Sequence, residues 1–106
     1  DTCVGWWAGA TPAERAAAGA YLDTGGEDIA WAPIRVACAS VADTAVIAMQ
    51  DVLSLPGDCR MNLPGDGQGW WEWRMQWSQV QPWHAERLAG LSRLFDRDPR
   101  QRRSVP

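Results

Sequence analysis

Lysine is absent from this 106-residue sequence, so every one of its ten basic side chains is arginine. Histidine occurs once, as His84, which leaves little support for Ser-His-Asp or Cys-His nucleophilic catalysis. The three cysteines, Cys3, Cys38 and Cys59, are widely spaced and form no CxxC or Cys/His cluster. A zinc site is therefore not expected, and the thiols read as reduced residues in or near a core. No apolar run approaches the roughly 20 residues that a membrane-crossing helix needs. The net charge of -3 is too small for a nucleic-acid binder or an acidic tail. These absences lead to the expectation of a cytoplasmic chain with no cofactor, no metal, no nucleic-acid partner and no membrane.

What is present is tryptophan. Eight occur, three of them in the stretch MNLPGDGQGWWEWR from Met61 to Arg74. Aromatic rings supply the largest apolar area a side chain can bury, and they also stack on sugar faces. Trp71 and Trp73 flank Glu72, the alternation of a half-buried extended segment, and burial in a core is the expected fate of both.

Local grammar sets out the elements. Residues 10–22 read as a helix, with Thr11 as N-cap, Pro12 in the first position and Glu14 closing a capping box. Asp28 opens a second helix over about 29–39, with Ala30, Ile34, Ala37 and Cys38 as its apolar stripe. TAVIAMQD, residues 44–51, is a short apolar run with β-branched residues and predicts a strand buried on both faces. Residues 52–55 suggest a helical turn and residues 56–69 a Pro/Gly/Asp-rich loop. Pro82 leads into a helix over about 83–96 whose apolar face carries Leu88, Leu91, Leu94 and Phe95. His84 falls in the capping region or on the surface. The tail from Arg97 to Pro106 is charged and is expected to fray. A helix followed by a buried strand is the pattern of α/β proteins with parallel sheets. One strand cannot pair alone, and the chain opens abruptly on DTCVGWW, so a cut from a larger domain is expected.

Four separated motifs then coincide. Asp1-Thr2-Cys3-Val4-Gly5-Trp6, Gln50-Asp51-Val52-Leu53, Arg60-Met61-Asn62-Leu63-Pro64-Gly65 and Trp70-Trp71-Glu72-Trp73-Arg74 occur in that order. Together they resemble the C-terminal end of the 4-alpha-glucanotransferases of the amylomaltase type. Cys3 stands where that family usually has threonine, and Trp70 where it has asparagine. The resemblance implies an incomplete domain over 1–106, the C-terminal part of a (β/α)8 TIM barrel, mostly helical here with one clear strand near 45–50. It implies retaining transfer of an α-1,4-glucan segment to the 4-hydroxyl of an acceptor sugar, through a covalent glucosyl-enzyme intermediate. The catalytic carboxylates of the family would lie ahead of Asp1, so no catalytic residue is assigned and the chain alone is expected to be inactive.

Asn62 is the expected sugar contact, because an amide offers both donors and an acceptor; supporting the turn before Pro64 is its plainer role. Gln50, Asp51 and Arg60 are expected to support the site. Gln50 could face the barrel mouth or bond a neighbouring strand end, and capping suits the position of Asp51. The fork of Arg60 fits a site carboxylate, and an ordinary surface arginine fits equally. A non-catalytic carbohydrate-binding module and a helical interaction domain are the alternatives. Apolar faces left bare would drive self-association of the isolated chain.

Overall fold

The structure is a computed structural model and describes residues 1–102. Six helices follow in chain order: α1 Cys3–Gly9, α2 Pro12–Leu22, α3 Trp31–Ala39, α4 Met49–Val52, α5 Pro82–Leu94 and α6 Pro99–Arg102. Short 3-10 turns at Gly57–Cys59 and Trp77–Gln79 punctuate the long loops.

The helix starts follow local chemistry. Thr11 Oγ1 accepts from Glu14 N at 3.2 Å, and the Glu14 carboxylate accepts from Thr11 N at 2.8 Å. That capping box satisfies two of the donors a helix start leaves orphaned. Asp23 ends α2 in the left-handed region, one residue before Thr24-Gly25-Gly26. Helix α3 starts two residues later than expected. Asp28 has φ 56 and contributes its carbonyl to the first turn, while its carboxylate turns away to pair with Arg87. At α5, Pro82 takes the first position, and His84 Nδ1 accepts from Gln81 N at 2.9 Å. His84 is thus a capping residue, and a buried one rather than a surface one.

The core is small. Trp31, Ile34 and Cys38 on α3 meet Val52 of α4 and Leu91 of α5, with Ile47, Met49, Leu88 and Phe95 packed around them. Arg87 lies 4.4 Å over the Trp31 ring. Leu94, expected on the buried face of α5, is exposed. Trp7 is half-buried beside Arg15 and Gly26, and Trp6 is exposed.

The expected α/β class is not what the structure has. Among the described residues there is no strand, and the run near 45–50 splits in two. Residues 44–48 lack regular secondary structure, and Met49 starts α4. Burial alternates along them: Ala45, Ile47 and Met49 are half-buried, whereas Val46 is 90% exposed. β-branched residues mark a half-buried extended segment, but a strand also needs a partner's ladder bonds, and none is offered here.

The radius of gyration is 15.8 Å, over extents of 52 × 34 × 25 Å. A compact domain of this length would have about 13 Å. Correspondingly, Tyr21, Val46, Trp71 and Trp77 stand in solvent. No described helix is long and apolar enough to cross a membrane. Arg97 is held against the end of α3, α6 occupies Pro99–Arg102, and residues 103–106 of the tail expected to fray lie outside the described residues.

Candidate functional site

The start of the chain and the segment 50–62 form one polar junction. Thr2 is buried as the N-cap of α1, its Oγ1 accepting from Gly5 N at 3.0 Å. A second acceptor arrives from 48 residues away: Asp51 Oδ1 takes Cys3 N at 2.8 Å. Both answer the unpaired N–H groups of a helix start. The Gly57–Cys59 turn lies directly on α1, and a Cβ built on Gly5 would sit 2.6 Å from Gly57 Cα. Only a residue without a side chain permits that approach.

Asp1 and Arg60 close the junction. Asp1 Oδ2 pairs with Arg60 Nη2 at 2.7 Å, and Asp1 Oδ1 accepts from Thr2 N at 2.7 Å. The Arg60 side chain is 16% exposed, and its Nε is buried without a partner. Gln50, also buried, donates through Nε2 to Cys59 O at 3.3 Å. Trp71 N donates to Met61 O, which ties the aromatic stretch to the loop just before Asn62. Asp1, Thr2, Ala48, Gln50, Arg60, Met61 and Asn62 enclose a cavity of about 180 Å³.

Two amides, a hydroxyl and a guanidinium in one small cavity suit the recognition of a polyhydroxylated ligand. They do not suit nucleophilic chemistry. Burial, reinforced by the Asp51 carboxylate, pushes the Cys3 thiol up to about 11. Burial and Asp58 also raise Cys59. Both thiols stay protonated at neutral pH and are poor nucleophiles. Among the described residues, no group of three or more His, Cys, Asp or Glu could hold a metal ion.

Of the residues expected at a site, Gln50, Arg60 and Asn62 line this cavity and Asp51 does not. Asp51 is a cap, though of α1 rather than of the turn that follows it. Arg60 pairs with the carboxylate of Asp1. Asp1 and Thr2 escaped sequence reasoning. The signal for them was their place in the same ordered motif set, because the ion-pair partner of Asp1 lies 59 residues away. Trp71 departs from the expectation of burial: it is 69% exposed, with φ 66. Trp73 is half-buried.

A larger cleft of about 360 Å³ lies between α3, α5 and the turn at 22–28. Its Asp28 and Arg87 already pair with each other, and none of the residues expected at a site lines it. The smaller cavity is therefore the better candidate.

Comparison with known proteins gives the family. Residues 1–80 match the family model of the 4-alpha-glucanotransferases. The chain is 38% identical over 103 residues to the 4-alpha-glucanotransferase of Thermus thermophilus, covering 92% of this chain and 21% of that protein. It is 39% identical over 98 residues to the enzyme of Synechocystis sp., covering 92% of this chain and 19% of that one. Its structure superposes on the amylomaltase of Streptococcus agalactiae, solved in complex with acarbose, with a TM-score of 0.83 and 29% identity. That match covers 90% of this chain and 19% of the amylomaltase. The chain thus spans about a fifth of the length of the relatives it matches. With a family model matching 80 consecutive residues and the motifs meeting at one junction, the chain belongs to the 4-alpha-glucanotransferase family.

Proposed function

We propose that this chain serves as the C-terminal part of a 4-alpha-glucanotransferase. The enzyme would move a segment of an α-1,4-glucan onto the 4-hydroxyl of an acceptor sugar, with retention, through a covalent glucosyl-enzyme intermediate. Family membership carries the reading, and the cavity beside Asn62 is its local support. Among the described residues the Asn62 side chain has no hydrogen-bond partner, so its amide is available to sugar hydroxyls. Gln50 and Asp51 hold backbone around it, and Arg60 holds the Asp1 carboxylate. The amylomaltase complex with acarbose supports an oligosaccharide as the ligand class.

Retaining transfer requires a carboxylate nucleophile and a carboxylic acid about 5–5.5 Å apart. Here the carboxylates at the junction are already engaged, Asp1 by Arg60 and Asp51 by Cys3 N. The 106 residues alone therefore bind and orient, and the reacting pair comes from the rest of a full-length enzyme. Double displacement by carboxylates needs no cofactor. The isolated chain, with Val46, Trp71 and Trp77 in solvent, self-associates at micromolar concentration; a monomer in sedimentation would contradict this.

The decisive assay follows glucose release and longer glucans from maltotriose, using both the full-length enzyme and this chain. Transfer by the former only supports the reading. Transfer by the chain alone overturns it, because catalysis would then run on residues assigned here to structure. An inactive full-length enzyme overturns it as well.

A further inference from the structure

We propose that Asp1 is a positioning residue for the Asn62 loop. The inference rests on the transferase reading above and adds to it a residue that fixes the substrate-contacting amide in place.

Three observations converge on Asp1. Its carboxylate is divided between two tasks, with Oδ2 on Arg60 Nη2 at 2.7 Å and Oδ1 on Thr2 N at 2.7 Å. The same Oδ1 is wedged between two glycines: a Cβ on Gly57 would meet it at 3.1 Å, and one on Gly5 would overlap it. Arg60, two residues before Asn62, is largely shielded from solvent, and Asp1 is its one ion-pair partner among the described residues. The carboxylate thus sits where α1, the Gly57–Cys59 turn and the Asn62 loop meet. With Oδ2 on Arg60 and Oδ1 on Thr2 N, its proposed role runs through Arg60 rather than through a reacting atom.

The physics gives the direction of the effect. A guanidinium shielded from water and deprived of its counter-charge moves toward solvent rather than remaining unpaired. Arg60 would carry Met61 and Asn62 with it, because the other bonds nearby hold Cys59 O, Arg60 N and Met61 O and leave the Asn62 side chain unheld. A misplacement of 1 Å at a positioning group can cost on the order of 100-fold in rate.

The test uses the full-length enzyme carrying this segment. Asp1→Asn keeps the size of the side chain and its bond to Thr2 N while removing the charge. It is expected to lower kcat/KM for maltotriose roughly 10- to 100-fold. The discriminating readout is coupling. Asp1→Asn combined with Asn62→Ala is expected to be no worse than Asn62→Ala alone, because the first acts through the second. A residue that merely stabilises the fold would add its loss in full, and that result, or wild-type activity in Asp1→Asn, overturns the proposal. Arg60→Lys, which keeps the charge and loses the fork, is expected to restore part of the loss seen in Arg60→Gln; equal losses also count against it. If the wild-type enzyme shows no transfer, the transferase reading fails. The Asn62 side-chain amide signals of the 106-residue chain then decide this proposal separately: they should shift in Asp1→Asn, and unchanged signals overturn it.

Discussion

The region around Trp31 and the region around Asp1 are held together by different physics. Trp31, Ile34, Cys38, Val52 and Leu91 meet through apolar area, and nothing in their contact demands a particular angle. Asp1, Thr2, Asp51 and Arg60 meet through directed bonds between 2.7 and 3.0 Å and through two glycine backbones in near contact. Apolar burial resists unfolding in proportion to area and forgives small displacements. A directed polar junction adds less stability but fixes position closely. A chain that must stay folded and, on the proposed reading, present the Asn62 amide at a set point gains from dividing the two tasks.

Trp31→Ala is the most severe way to break the contrast. The side chain is 1% exposed, and its removal should cost about 3–5 kcal/mol, a large share of the stability of a domain this size. Thermal melts followed by circular dichroism should show a lowered midpoint, and hydrogen exchange should show α3 and α5 opening first. A variant that melts like the wild type would mean that the apolar cluster is not the foundation described above. Gly5→Ala attacks the other region. Its methyl would sit 2.6 Å from Gly57 Cα and 2.9 Å from Gly57 N, both backbone atoms that cannot swing aside. About 2–3 kcal/mol should be lost. In the full-length enzyme, transfer activity should fall further than stability explains. Retention of activity in a folded Gly5→Ala variant would argue that the junction does not position anything.

Arg97→Ala tests a polar device that serves the apolar region. Arg97 donates to the carbonyls of Cys38, Ser40 and Ala42 at 2.7, 3.2 and 2.8 Å, beyond the last turn of α3 and within it. Its loss should cost about 2 kcal/mol, with hydrogen exchange accelerated at the end of α3 and not at α1. Equal acceleration at both would merge the two regions into one. The smallest effect concerns Cys3. Its folded thiol titrates near 11 against an ordinary value of 9.0, so the unfolded chain ionises first. Stability should therefore decline as pH rises from about 9 toward 11 and be independent of this group below that window. Cys3→Ala should flatten the decline, and the wild-type thiol should react slowly with thiol reagents at pH 8. Rapid labelling of the folded protein would contradict the burial assigned to it.

The parts of this molecule that could be read in the sequence are those whose partners are close by. Thr11, Pro12 and Glu14 announce α2 because a capping box closes within three residues. Pro82 marks the start of α5 for the same reason. The run at 44–51 misleads because a continuous apolar stretch with β-branched residues describes extended backbone, whereas a strand is defined by a neighbour that a linear reading cannot supply. Asp51 reads as a cap for the turn that follows it, whereas the N–H it takes is that of Cys3, 48 residues away. Arg60 meets the carboxylate of Asp1 from 59 residues away, a pairing that no local pattern in the sequence points to. The tryptophans show the limit from the other side. Composition predicts that rings will be buried, but Trp71, with φ 66 and its backbone bonded to Met61, is turned outward.

The clamp at the end of α3 also has a consequence in time. Arg97 lies 55 to 60 residues downstream of the carbonyls it serves. A ribosome adds about 5–20 residues per second, so α3 would wait roughly 3–12 s between its own synthesis and the arrival of its cap. Through that interval the helix has Ala30 as an N-cap without a side-chain bond, and its last carbonyls face water. The nascent chain would therefore pass through a stage in which α2 already has its local cap at Thr11 while the end of α3 still lacks Arg97. The step that completes the core would be the emergence of the chain beyond α5.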